Sequence, residues 1–187
     1  MIVLTKQEGD VNMNAVEYYT SLEYDERYWR DIRFLTKVAA DFVEKHYNLE
    51  LSIPIVINGR IGKILGRFAR RAGEKKSLRI ELNKNMTTNA SKQDICSTLI
   101  HELIHYALFE LDKPYLDGEE YFENELRKHG GCSTYTKRPK MERCVYVCEK
   151  CDNVVALKFR RSNALVSGNY QSSCCTAGIK YAGKKIM

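Results

Sequence analysis

His101 and His105 stand four residues apart with Glu102 between them, in the run His101-Glu102-Leu103-Ile104-His105. On a helix that spacing is about one turn, so both imidazoles project from one face and can bind a single Zn²⁺. Glu102 is placed beside them to take a proton from a water the metal acidifies rather than to ligate. Two histidines leave a catalytic zinc one protein ligand short. Asp117, Glu123, Glu125 and His129 are the downstream candidates. Glu125 comes twenty residues after His105, a spacing at which a following helix returns a carboxylate. His129 offers an imidazole but abuts Gly130-Gly131, as a helix-terminal cation does. Residue chemistry alone leaves the choice open.

A second group of metal-ligating residues lies in the last third of the chain. Of seven cysteines, Cys96 stands alone, while Cys132, Cys144, Cys148, Cys151, Cys174 and Cys175 fall after Gly131. Met1 to Asp10 carries neither the basic nor the apolar region of a secretion signal, so a reducing, cytoplasmic compartment is expected. There an odd cysteine count points to metal ligation or buried thiols rather than a disulfide framework. Cys148-x2-Cys151 is a knuckle whose tight turn brings two thiolates to one metal. Cys174 and Cys175 are adjacent, and neighbouring side chains diverge. A site made of Cys148, Cys151, Cys174 and Cys175 therefore requires unusual backbone geometry, and Cys144, Cys132 or a non-cysteine ligand are alternatives.

The elements that must position these groups read as an α+β plan. Tyr28, Ile32, Leu35, Val38, Ala39, Phe42 and Val43 recur at helical spacing and predict one helix over Tyr24–Tyr47. Three short β-segments follow, at Leu51–Ile57 (with Pro54 marking an edge or bulge), Ile64–Ala69 and Leu78–Leu82. A second long helix begins near Ser91, where Asp94 stands at capping-box spacing. Ile95, Leu99, Leu103, Ala107 and Leu111 form its apolar face, and the paired histidines sit in its middle. Glu119–Lys128 predicts a further helix stopped by Gly130. Helix, three strands, helix, helix is not the alternation of a parallel α/β sheet. Nothing but Tyr18 and Tyr19 suggests that the first 23 residues dock on the rest.

The 187 residues carry a net charge of +6 and 44% hydrophobic residues, which excludes wholesale disorder. The longest charge-free stretch, Ser162 to Ile179, is too polar to span a bilayer. Residues 132–187 hold eleven Lys and Arg against three Asp and Glu, a net of +8, so residues 1–131 carry −2. The shift at Gly130–Gly131 divides the chain into residues 1–131 and a basic, cysteine-rich module over 132–187. Lys158-Phe159-Arg160-Arg161, Lys180-Tyr181 and Lys184-Lys185 interleave cations with aromatics, as surfaces that track phosphates and stack bases do. Arg60, Lys63, Arg67, Arg70, Arg71, Lys75 and Lys76 form a second basic stretch. The plainer reading of both is solvated strand faces.

The His101–His105 run, preceded by Ile95-Cys96-Ser97-Thr98-Leu99-Ile100, resembles the core of the SprT-like (Spartan-related) zinc metalloprotease family. The likeness extends upstream through Gly66-Arg67-Phe68 and downstream to Tyr146-Val147-Cys148-Glu149-Lys150-Cys151, which is similar to the family's zinc ribbon. The resemblance implies a zincin-like metalloprotease domain followed by a small β-rich ribbon with a structural zinc. It implies hydrolysis of peptide bonds, with protein or peptide substrates and Glu102 as general base. It further suggests action on DNA-associated proteins through the basic tail. Where the family carries a third histidine this sequence has Asp117, a competent zinc ligand, and where the family carries a second CxxC it has Cys174-Cys175. A non-catalytic, zinc-containing nucleic-acid-binding protein is the alternative, with Asp117 then marking lost peptidase activity.

Overall fold

The structure, a computed structural model, describes residues 13–71, 73–133 and 141–186. Its first helix, α1 (Ala15–Ser21), starts with a full capping box: the Asn14 side chain accepts from Glu17 N, and the Glu17 carboxylate accepts from Asn14 N. Its short apolar stripe, Val16 and Tyr19, carries too little periodicity to mark this helix in the sequence. Tyr19 is fully buried and donates to Asp41 Oδ2 at 2.5 Å, so this part of the N-terminal segment does dock.

The helix expected over Tyr24–Tyr47 is two pieces. Asp25 caps a 3-10 turn, Glu26–Arg30, and Asp31, extended at φ −94° and ψ 120°, caps α2 (Ile32–Tyr47). Each aspartate accepts from the backbone N–H two residues on, and this local bonding breaks the helix where side-chain periodicity ran through. The helix ends at Asn48, in the left-handed region at φ 53°. Phe34, Leu35, Val38, Ala39, Phe42 and Val43 are its buried face.

Strands β1 (Ile55–Asn58), β2 (Gly66–Arg70) and β3 (Ser77–Asn83) form a sheet in the order β1-β3-β2. Strand β1 runs parallel to β3 and β2 antiparallel to it, so β2 is an edge. Strand β1 begins only after Pro54, which lacks an N–H but accepts from Ile80 N. The short helix α3 (Lys84–Asn89), capped by Asn83, was not anticipated. Next comes α4 (Lys92–Glu110), capped by Ser91 as expected. Asp94 reaches only the Ser91 hydroxyl, at 2.8 Å, which fits a carboxylate one methylene shorter than glutamate.

Apolar spacing predicts one buried face for α4, but the helix is buried on nearly every side from Ile95 to Phe109, between α1, α2, the sheet and α5 (Glu120–His129). A helix this enclosed cannot turn, so the direction of each side chain on it is set by packing. Gly130, at φ 73°, ends α5 in the left-handed region. Beyond it β4 (Glu142–Cys148), β5 (Val154–Lys158) and β6 (Ile179–Ile186) form an antiparallel sheet in the order β5-β4-β6, with Cys144, Tyr146 and Ile179 at its core. The chain is thus α+β, with two small three-stranded sheets. Among the described residues no helix is long and apolar enough to cross a membrane.

Candidate metal centres

His101 and His105 lie mid-way along α4 with their Nε2 atoms 3.0 Å apart. Asp117, in the loop between α4 and α5, brings Oδ1 to 3.2 Å from His101 Nε2 and 3.7 Å from His105 Nε2. Donors bonded tetrahedrally to one zinc at about 2.0–2.1 Å stand roughly 3.3 Å from each other. The three separations bracket that value, so the donor set fits a zinc-sized cation.

Each imidazole is oriented from behind. His101 Nδ1 lies 2.8 Å from Cys132 O, and His105 Nδ1 is bonded to Tyr115 O. A carbonyl can only accept, so in both rings Nδ1 carries the proton and Nε2 presents a lone pair to the site. Phe122 of α5 stacks on His105 at 4.2 Å and 16° and meets His101 edge-on. Burial pushes the His105 pKa down to about 4, with His101 adding to the effect. Burial opposes charge on His101 too, but Asp117 and Glu102 outweigh it and hold that ring above the usual imidazole value. The Asp117 loop is held by carboxylates: Glu119 accepts from Leu116 N, and Glu123 from Gly118 N.

Glu102 is 6% exposed and groups with the two histidines. Its Oε2 accepts from Phe68 N on β2 at 2.7 Å. Burial raises its pKa to about 7, against the lowering effects of His101 and that N–H. A carboxylate poised near neutrality is suited to general base work. Gly66 makes the approach of strand and helix possible: a Cβ there would stand 2.7 Å from Glu102 Oε1, 2.8 Å from Glu102 Cγ and 3.0 Å from Thr98 Cγ2. Sequence reasoning gave Gly66 and Phe68 no role at the site. The available signal was a lone glycine in a strand, which often marks close approach of another element.

The structure does not bring Glu125 or His129 to this centre. Glu125 accepts from Tyr47 OH at 2.8 Å and lies 3.4 Å from His129 Nε2, and His129 packs edge-on against Phe42 and His46. Glu123 is engaged with the loop instead.

In the tail, the thiols of Cys148, Cys151, Cys174 and Cys175 all lie within 4.8 Å of one another. Four thiolates at about 2.3 Å from one zinc would stand about 3.8 Å apart. Cys151 Sγ and Cys174 Sγ are 3.5 Å apart. The adjacent pair converges because the chain folds back after it: Thr176, at φ 50°, is left-handed, and Thr176 N donates to Ser172 O. Ser172 Oγ and Lys150 N donate to Cys148 Sγ, and the Ser172 bond above all pushes that thiol down to about 6. Cys144 lies apart, in the core of the tail sheet, and what Cys132 brings to the helix centre is its carbonyl.

The cations and aromatics of the tail are partly engaged with each other. Arg143 lies over Phe159 and Arg161 over Tyr181. Lys180 pairs with Asp152 and Lys184 with Glu142.

A cleft of about 720 Å³ opens beside Glu102 and His101, walled by Lys63 to Gly66, by Met86 of α3 and by Met141, Arg143 and Phe159 of the tail. No solved structure matches this chain. The family model that does match, SprT-like, aligns with residues 33–131, which contain all of the α4 centre, Asp117 included; on that match, covering more than half of its length, the chain belongs to the SprT-like family.

Proposed function

We propose that this protein is a zinc-dependent peptidase of zincin-like build, with His101, His105 and Asp117 as ligands and Glu102 as general base. The observation that carries the reading is the triangle of donors at 3.0, 3.2 and 3.7 Å with one buried carboxylate beside it. When bound, zinc would polarise a scissile carbonyl and acidify a water. The chain's own residues supply the remainder. Phe68 N–H commits Glu102 Oε2 and leaves Oε1 to accept the proton of the attacking water. Glu102 then returns it to the leaving amine, a shuttle its near-neutral pKa favours. Asp117 in place of a third imidazole gives the ligand set one negative charge, which leaves a formal +1 at the centre. That makes the metal a weaker acid than three neutral ligands would and lays more of the catalysis on Glu102.

A second zinc, structural, belongs on Cys148, Cys151, Cys174 and Cys175 in a ribbon-like module over residues 132–187, after the catalytic domain over 1–131. The substrates are proteins or peptides, and the +8 tail favours DNA-associated ones.

Metal analysis of the purified protein should give two zinc per chain. The parent should cleave an unfolded protein substrate, and Glu102→Gln, with both metals retained, should cleave it at least a hundredfold more slowly. Equal rates for the two would remove the mechanism and favour a binding protein.

A further inference from the structure

The cleft beside the α4 centre has an uneven charge. Its cations are Lys63 and Arg143, and its one carboxylate is Glu102. Arg143 sits on β4 with its guanidinium carbon 3.4 Å from the centroid of the Phe159 ring. The acid next to it, Glu142, is paired with Lys184 at 2.7 Å instead. Among the described residues no carboxylate pairs with either Arg143 or Lys63. Stacking uses the face of a guanidinium and leaves its in-plane N–H groups uncommitted, the edge that binds a carboxylate through two parallel bonds. The loop carrying Lys63 is held in place, since Asn83 Nδ2 donates to Gly62 O at 3.0 Å and to Ile64 O at 2.7 Å. Apolar side chains, Leu65, Met86 and Met141, line the same cleft.

We propose that this cleft is a specificity subsite for an acidic residue of the substrate: the carboxylate of a Glu or Asp near the scissile bond pairs with the edge of Arg143, and Lys63 adds to the attraction. The apolar lining suits the methylene stem of such a side chain. A nucleic-acid phosphate fits less well. Arg143 already covers the Phe159 ring that a base would stack on. The tail module thus completes the cleft, and Arg143 determines selectivity without touching the reacting atoms.

The inference rests on the peptidase reading, so the test separates the two by measuring binding apart from cleavage. Zinc-loaded Glu102→Gln protein is titrated, by fluorescence anisotropy, with labelled peptides that differ only in Glu or Gln at one position, moved stepwise along the sequence. At the position that reaches the cleft the Glu peptide should bind about tenfold tighter, the effect of one charge-assisted pair. Adding Arg143→Gln should bring that ratio to about one, and Arg143→Lys should keep part of it. Adding Lys37→Gln, exposed on α2, should leave it unchanged. Thermal melting and zinc content check that each variant is folded, and Arg143→Lys carries the test if Arg143→Gln is not. The same ratios should appear in kcat/KM of the parent. Equal binding of the Glu and Gln peptides at every position, or a preference that survives loss of Arg143, overturns the subsite. So does displacement of the peptide by a single-stranded oligonucleotide that itself depends on Arg143, which would make the cleft a phosphate site. A preference that follows Arg143 in a protein that cleaves nothing upholds the subsite and refutes the peptidase reading.

Discussion

Gly66→Ala is the sharpest perturbation of the α4 centre that leaves all its chemical groups in place. The added methyl would lie 2.7–2.8 Å from the Glu102 side chain and 3.0 Å from Thr98. Ordinary contact begins near 3.4 Å, so Glu102 or the strand must move by roughly 0.6 Å. Glu102 stands on an enclosed helix and is tethered to Phe68 N, so its carboxylate can retreat only toward the cleft it lines, and the tether is what gives way. A hydrogen bond to a charged group is worth about 1.5–3 kcal/mol, and each 1.4 kcal/mol is a factor of ten. The expected loss in kcat is therefore one to two orders of magnitude. Overpacking of this kind costs about 1–3 kcal/mol of stability, or a few degrees of melting temperature for a chain of this size. The donors of His101, His105 and Asp117 do not depend on Gly66, so zinc content should stay at two per chain. The assay is turnover of an unfolded protein substrate, measured with metal content and a melting curve on the same preparation. Gly168→Ala is the control: Gly168 has φ +85° but nothing within 4 Å of an added Cβ, so it should cost about 1 kcal/mol through backbone strain and leave turnover intact. Full turnover in Gly66→Ala would show that the Phe68–Glu102 tether has no part in the chemistry.

Asp117→Ala should lower the zinc affinity of the α4 centre by at least tenfold, whereas Glu125→Gln should leave it unaltered; competition with a chromogenic chelator measures both, and the reverse order would move the third ligand to α5. Cys151→Ser should release one zinc and loosen the tail sheet while the α4 centre keeps its metal, as metal analysis with amide exchange would show; loss of both metals would mean that the two sites fold as one. His129 is buried against His46 and Phe42, and burial, with His46 and Lys128, pushes it down to about 4. His46 is also lowered, by burial and then by Lys45 and Lys128, while Asp41 and Glu125 oppose the shift. His129 stays neutral in the fold down to about pH 4 but takes up a proton near pH 6.5 when unfolded, so stability should fall as pH drops from about 6.5 toward 4 and then level off for this group, with His46 acting in the same direction. For His129 that amounts to about 2 kcal/mol by pH 5, and His129→Leu should flatten the decline in melting temperature between pH 8 and 5. An unchanged slope would place the acid sensitivity elsewhere.

The parts of this fold that could be read from residue order are those where one local signal decides. Ser91 opened α4 and Gly130 closed α5, because capping and left-handed termination depend on a single residue. The His101–His105 pair was legible because helix geometry alone sets its spacing. The long N-terminal helix was misjudged because apolar spacing continues through Asp31, while the break comes from a side chain bonding its own backbone. Both short helices, α1 and α3, have too few residues to show a period. The third donor was harder to reach. Residue chemistry leaves Asp117, Glu125 and His129 open and only the resemblance singles out Asp117; what separates them in the fold is where each stands relative to α5. Glu125 and His129 face α2, where Tyr47 and His46 receive them. Asp117 precedes α5, in a loop that two glutamates fold back over α4.

Gly130 and Gly131 illustrate how a residue read as punctuation also shapes chemistry. In the sequence the pair stops a helix and marks a shift in composition. In the fold Gly130 turns the chain into the left-handed region, and Gly131 N donates to Leu126 O at 2.9 Å. Gly131 lies so close to Leu126 that a Cβ would meet Leu126 Cδ1 at 2.6 Å. That tight return directs the very next residue, Cys132, back toward α4, where its carbonyl holds His101 Nδ1. The tautomer of one proposed zinc ligand thus follows from the way a neighbouring helix ends. Cys132 and Ser133 then line the cleft that Met141 and Arg143 wall from the tail. One stretch of chain thus orients a histidine at the centre and lines the cleft beside it. A change in how α5 terminates would therefore reach both the ligand and the cleft without altering any residue that touches substrate.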